Sequence, residues 1–300
     1  MTAVRLDPRT TRVVATGRAS VCGTFGELLQ GVLPDGLDFL VTLPIAQYAT
    51  ATVELDHTGD GIAVDPPNRE KARILAQRIL QRHCHSVSAS LRLTGDLPVG
   101  KGFASSSADL VATARAVAGA LGVQLSAADI MALMREIEPS DGVMYAGSVA
   151  FYHRQVRLRE VFGALPPATI VAVDEGGELD TVAFNALAKP FTAAERRRYG
   201  ELLAEIGRAI GAGELAAIGA VATESALLNQ KLRVKHSLPT MIRICRAVEG
   251  AGVVVAHSGT TVGLLISDRD ADYAQKIAET KSACRRLPYA VSVHHTEPAL

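Results

Sequence analysis

The sequence predicts an α+β fold. Apolar runs of strand and helix period alternate irregularly along the chain, without the regular βαβ rhythm of a doubly wound sheet. Hydrophobic residues make up 48% and charged residues 21%, an ordinary globular balance. The 300 residues, at about 150 per domain, suggest two domains with ample buried core. Pro166-Pro167 is the strongest punctuation between apolar segments, so the expected division is 1–165 and 166–300.

In chain order, Gln47 to Leu55 reads as a strand rich in Ala, Thr and Val. Arg69 to His83 reads as a helix, with Ile74, Leu75, Ile79 and Leu80 at helical spacing. Ser86 to Leu93 alternates, with Val87, Ala89, Leu91 and Leu93 on one face of a strand. Thr94 to Ala104 is a loop punctuated by Gly95, Pro98, Gly100 and Gly102. Ser105 opens an Ala-rich helix to Leu121, stopped by Gly122, and Ser126 caps another to Glu138, closed by Pro139. Ser148 to Tyr152 is a strand. After the Pro-Pro pair come a strand Thr169–Asp174, helices Ala193–Ile210, Glu214–Leu228 and Leu238–Glu249, and strands Gly252–Ala256 and Val262–Ser267. A helix Arg269–Arg285 and a strand Tyr289–His294 finish the pattern.

Charge excludes several function classes. Lys plus Arg number 31 and Asp plus Glu number 31, so there is no cation surplus to neutralise nucleic-acid phosphates or grip an anionic membrane. No apolar run approaches a spanning helix, and Met1 to Val14 is broken by Arg5, Asp7, Arg9 and Arg12, unlike a signal peptide. Cys22, Cys84, Cys245 and Cys284 are too sparse for a disulfide scaffold. A soluble cytoplasmic protein is the expectation. A homodimer is compatible with the sequence, although no heptad or isolated apolar face speaks for it.

The most informative stretch is Pro98-Val-Gly-Lys-Gly-Phe-Ala-Ser-Ser-Ser-Ala-Asp109. A strand ends, small residues let backbone approach a ligand, and three hydroxyls stand where a helix begins. The first N–H groups of that helix are unpaired and its dipole is positive there, which favours phosphate. Ser105, Ser106 and Ser107 exceed what capping requires. Gly95 to Lys101 also matches the first seven positions of G-x-x-x-x-G-K, and Val171 to Asp174 looks like a Mg²⁺-holding strand. That P-loop reading fails, because Gly102 stands where Ser or Thr is needed and the helix starts too late.

Pro98-x-x-x-Gly102-x-x-Ser105-Ser106-Ser107-Ala108 resembles the second motif of the GHMP kinases. Ala19-Ser-Val-Cys-Gly-Thr-Phe-Gly-Glu27-Leu-Leu-Gln-Gly31 is similar to their first motif, and Ala256-His-Ser-Gly-Thr-Thr-Val-Gly263 to their third. Four tokens resemble the subfamily of L-threonine kinases of cobalamin side-chain synthesis: Gly26-Glu-Leu-Leu-Gln-Gly31, Lys101 to Asp109, Glu138-Pro-Ser-Asp141 and Ala256-His-Ser-Gly259. The resemblance implies a ribosomal-S5-like N-terminal domain and a ferredoxin-like C-terminal domain. It implies ATP and Mg²⁺ as cofactors and the side-chain hydroxyl of L-threonine as acceptor, giving O-phospho-L-threonine and ADP.

By that resemblance, Pro98, Gly100, Lys101, Gly102, Phe103, Ala104, Ser105, Ser106 and Ser107 hold the nucleotide phosphates. Ser106 ligates Mg²⁺, with Glu138 as its carboxylate or simply the end of a helix. Asp141 orients or deprotonates the acceptor hydroxyl, a task that needs a carboxylate within hydrogen-bond reach; the alternative is an Asp in a Ser-Asp-Gly turn. Glu27 faces the substrate ammonium or serves as a surface or capping glutamate. Ser258 and Gly259 close the acceptor end or form a hairpin turn. Mevalonate kinases carry a lysine in the first motif, and Ala19 to Gly31 has none, so a mechanism without a dedicated base stays open. Two other functions share these motifs: phosphorylation of serine or homoserine, and a GHMP-fold binding module without catalysis.

The remaining histidines give weaker signals. His83-Cys84-His85 lacks the second ligand pair of a zinc site and fits a solvated helix end. His294 and His295 have no partner spacing. His257 falls inside the third motif, where a lone histidine is more often structural than catalytic. Glu195-Arg-Arg-Arg-Tyr199 reads as an exposed helix face.

Overall fold

The computed structural model describes residues 13–56, 61–83, 88–177 and 189–298. Cys84, His85, the first two residues of the expected strand at Ser86 and the stretch before Val13 lie outside the described residues. The order is β1 (Val13–Val32), β2 (Asp38–Asp56), β3 (Ile62–Asp65), α1 (Glu70–His83), β4 (Ser88–Gly95), α2 (Ser105–Leu121) and α3 (Ala127–Arg135). It continues with β5 (Ser148–Tyr152), β6 (Arg157–Gly163), β7 (Ala168–Asp174), α4 (Ala193–Ala212), α5 (Leu215–Leu228) and α6 (Leu238–Ala247). The last elements are β8 (Gly252–Val255), β9 (Thr261–Ser267), α7 (Tyr273–Cys284) and β10 (Ala290–His295). The fold is α+β, as the sequence predicts.

The strands join in one sheet of order β10-β7-β9-β8-β1-β2-β4-β3, with β5 on β2 and β6 on β5. Pairing is antiparallel except between β3 and β4. The side-chain period of two divides β7 between two cores. Ile170 and Ala172 pack with α4 and α5, whereas Val171 and Val173 pack with α6. A third core, around Val53, Leu91, Leu75 and Val111, lies between β1, β2, β4 and helices α1 to α3. No helix among the described residues is long and apolar enough to cross a membrane.

The long β1–β2 pair carries no strand signal ahead of Gln47. β1 holds four glycines, Gly17, Gly23, Gly26 and Gly31. Its register against β2 also shifts three times between Cys22 and Leu29. Such bulges break the alternation that reveals a strand and re-aim side chains. Phe25, Leu28 and Leu29 are all fully buried, so no polar face marks the segment either.

Two helix ends differ from expectation by more than two residues. α3 stops at Arg135 rather than Glu138, the Ile137 and Glu138 N–H groups both turning back to the Met134 carbonyl. Glu138 therefore does not finish a helix. α7 begins at Tyr273 rather than Arg269, because Asp270 and Asp272 hold the chain in turns ahead of it.

Candidate active site

Ala104 takes a left-handed conformation (φ 52°) before α2, and no side chain caps that helix. Its first N–H groups are therefore offered to whatever anion enters the cleft beside it. The cleft has a volume of about 390 Å³ and is walled by Gly100, Gly102 to Ser107, Glu138 to Asp141, Glu27 and Ser258. Asn68 to Ala72, at the start of α1, close the opposite side.

Three sequence-distant segments interlock at its base. Gly26 N–H donates to the Gly102 carbonyl at 2.9 Å, and Thr24 N–H to the Phe103 carbonyl at 3.2 Å. Thr260 N–H donates to the Lys101 carbonyl at 3.3 Å. Gly26 has φ 49° and sits so tightly on β8 that a Cβ would lie 2.4 Å from the Val255 carbonyl oxygen. A Cβ on Gly259 would lie 2.1 Å from the Lys101 carbonyl oxygen. The Phe25 and Phe103 rings meet edge to face at 5.4 Å and anchor the same junction.

At one end of the cleft, the Ser106 hydroxyl donates to one oxygen of Glu138, and the Lys71 ammonium takes the other. A hydroxyl and a carboxylate side by side are the hard oxygen donors that Mg²⁺ accepts, with water and phosphate completing its shell. The ammonium already on Glu138 marks the spot as one that attracts a cation. No group of three or more His, Cys, Asp or Glu among the described residues is placed to hold a metal alone. Arg69 faces Asp109 at 3.4 Å on the same wall.

At the other end, Asp141 follows the turn fixed by Ser140, whose N–H donates to the His153 carbonyl at 3.1 Å. The Ser107 hydroxyl accepts the Asp141 N–H at 3.0 Å, and is itself only 4% exposed. Burial pushes the Asp141 carboxyl up to about 7, and the neighbouring Glu27 and Glu138 push it the same way. Glu27 is buried on β1, and its Oε2 accepts from His257 N–H at 3.0 Å and from the His257 ring at 2.8 Å.

Of the residues singled out in the sequence, the cleft gathers Glu27, Gly100, Gly102 to Ser107, Glu138, Asp141 and Ser258. Pro98, Lys101 and Gly259 stand behind its wall. The Lys101 ammonium bonds to Asp174 at 2.9 Å and to the Gly177 carbonyl at 2.6 Å. The two halves of the P-loop decoy thus meet as an ion pair. His257, given no role by the sequence, braces Glu27. His294 packs among Phe25, Phe103 and Gln47. Lys71, Arg69 and His153 had no signal in the sequence beyond their charge or ring.

A helix start open to anions, a hydroxyl–carboxylate pair and a carboxyl raised by burial share one cleft, an arrangement suited to a small-molecule kinase. The model of the GHMP kinases N terminal domain matches residues 71–151 of this chain. The chain is 29% identical over 273 residues to an L-threonine kinase of Citrobacter freundii, covering 88% of this chain and 91% of that protein. An L-threonine kinase of Salmonella typhimurium is 28% identical over 270 residues, with 85% and 86% covered. The crystal structure of a homoserine kinase from Cytophaga hutchinsonii superposes with a TM-score of 0.73 over 98% of this chain and 97% of that one, at 16% identity. That last likeness is one of fold.

Proposed function

We propose that the protein transfers the γ-phosphoryl group of ATP to the side-chain hydroxyl of L-threonine, giving O-phospho-L-threonine and ADP. The observation that carries this reading is the single cleft joining Ser106 and Glu138 to Asp141 and Glu27. Phosphoryl transfer asks the protein mainly for positioning and charge neutralisation. The α2 N–H groups and Ser105 receive the phosphates, and Ser106 with Glu138 would hold Mg²⁺. Mg²⁺, when bound, neutralises charge on the β- and γ-phosphates.

Asp141 acts as the base. Its carboxylate accepts the hydroxyl proton as the oxygen bonds to the γ-phosphorus and the bond to the departing ADP oxygen breaks. A carboxyl raised to about 7 is basic enough to take that proton near neutral pH and still largely ionised above it. Glu27 receives the acceptor's ammonium. In this reading the N-terminal domain, residues 1–165, carries the phosphate loop and the base, and the C-terminal domain, residues 166–300, closes the acceptor end through Ser258 and Gly259. We infer from the subfamily resemblance that the product serves cobalamin side-chain synthesis, and from the sequence's charge, hydropathy and sparse cysteines that it does so in the cytoplasm.

The test is ADP release with Mg²⁺-ATP across L-threonine, L-allo-threonine, D-threonine, L-serine, L-homoserine and no acceptor. Release that depends on L-threonine, with phosphothreonine identified by mass spectrometry, is the expected result. Release with serine or homoserine instead keeps the kinase and changes its acceptor. Nucleotide binding with no release from any acceptor overturns the proposal in favour of a binding module.

A further inference from the structure

We propose that His257 is a positioning residue that aims Glu27 at the acceptor's ammonium group, an inference that rests on the hydroxy-amino-acid reading above. Glu27 Oε2 is consumed by His257, which donates to it from both its backbone N–H and its ring Nδ1. Both of these bonds fall on Oε2 and leave Oε1 to the cleft, which Glu27 lines beside Ser258 and Asp141. One carboxylate oxygen is tied down and the other is presented.

The ring is held from behind. His257 Nε2 lies 3.1 Å from the Ser225 hydroxyl, and that hydroxyl already accepts the Gln30 N–H at 3.2 Å. The Ser225 proton is therefore free to go to Nε2, which leaves the ring proton on Nδ1 pointing at Glu27. A carboxylate whose histidine partner is fixed by a third group keeps its orientation without depending on the ligand. Ser225, His257 and Glu27 repeat the order of a hydrolytic triad, but Ser225 is fully buried and lines no part of the cleft, so it is no nucleophile.

Charge points to the ligand. Glu27 and Asp141 repel across the cleft. Of the lysines that feel the Glu27 charge, Lys235 is bound to the Gly259 carbonyl, and Lys189 also answers to Asp38. A primary ammonium entering between the two carboxylates relieves the repulsion and accounts for the presented Oε1.

The experiment compares kcat/KM for L-threonine with kcat/KM for (R)-3-hydroxybutyrate, the same acceptor without its amine. Wild type should favour threonine by about 100-fold or more, as expected of a site built to pair with a polar group. His257→Asn places an amide N–H near the Nδ1 position and should keep most of that preference. His257→Gln donates at the Nε2 position and should lose at least about ten-fold of it through KM for threonine, with kcat on hydroxybutyrate little changed. Glu27→Gln should lose it altogether. Equal losses on both acceptors, or the same ratio in the Asn and Gln variants, overturn the positioning role. A wild type active on hydroxybutyrate and threonine alike overturns it too. A wild type silent on every hydroxy amino acid instead removes the reading on which it rests.

Discussion

The serine cradle proposed for the phosphates is made by chain neighbours, whereas the proposed acceptor pocket is made by strangers. Ser105, Ser106 and Ser107 are consecutive, and the anion binding proposed for them follows from opening a helix behind a left-handed Ala104. Glu27 and His257 are 230 residues apart, and they meet only because β1 pairs with β8 at Glu27 and Val255. The first kind of site is a local motif that one stretch of chain can specify. The second depends on sheet order, on bulges in β1 and on a glycine junction, so damage far along the chain reaches it.

The comparison is broken most directly at the residue where the two ends meet. Asp141→Asn should lower kcat by about 10²- to 10⁴-fold with KM for ATP little changed, in steady-state ADP release. Wild-type kcat/KM should rise with pH and level off above about 7, as the carboxyl ionises. The same raised carboxyl has a signed effect on stability. The folded protein keeps this proton up to about 7, whereas the unfolded chain releases it near about 4, so stability present below that lower value is lost as pH rises through the upper one. Asp141→Asn should therefore raise Tm by a few degrees at pH 8 and hardly at all at pH 4. Near-normal turnover in the Asn variant leaves the transfer without a dedicated base.

Ser106 and Glu138, the proposed Mg²⁺ ligands, test the phosphate end alone. Ser106→Ala and Glu138→Gln should raise the Mg²⁺ concentration for half-maximal activity by about ten-fold or more, and chelation should abolish ADP release in wild type. Neither substitution should change the preference for threonine over its amine-free analogue. A shift in that preference would show that the two ends are not separable.

The glycine junction couples them. Gly259→Ala forces a Cβ onto the Lys101 carbonyl, which belongs to backbone and cannot swing away. KM for ATP should rise about ten-fold and Tm should fall, because the third motif no longer seats on the phosphate loop. An unchanged KM for ATP would mean that the loop holds its shape without the second half of the chain.

The same difference explains what the sequence could convey. The start of α2 at Ser105 and the apolar run of β7 are legible because their causes are local: a helix-opening serine cluster and two buried faces. β1 was hidden, since Gly17 and Gly23 interrupt it and its bulges cancel the alternation. Glu138 was ambiguous for a related reason, its helix fraying at Arg135 through bonds to Met134 that no spacing foretells. His257 as a brace could be found only by knowing that Val255 lies opposite Glu27. Lys71 joins Glu138 from α1 across 67 residues, with nothing in its neighbourhood to announce it.

Two lysines give the finest test, because the sequence and the structure rank them differently. Lys101 belongs to the phosphate motif, yet its ammonium pairs with Asp174 and Gly177, and neither its side chain nor Asp174 lines the cleft. Lys71 lies outside every motif and does line it, with Glu138 its partner. A nucleotide triphosphate entering the cleft meets the Lys71 ammonium, whereas Lys101 would have to leave a carboxylate and a carbonyl to reach it. Lys71→Met should therefore raise KM for ATP several-fold. Lys101→Met should leave it within about three-fold and cost about 1 kcal/mol or less of stability, a loss that shrinks as salt rises. The opposite order in KM would mean that Lys101 abandons Asp174 when nucleotide binds, and that the local motif supplies its own charge after all.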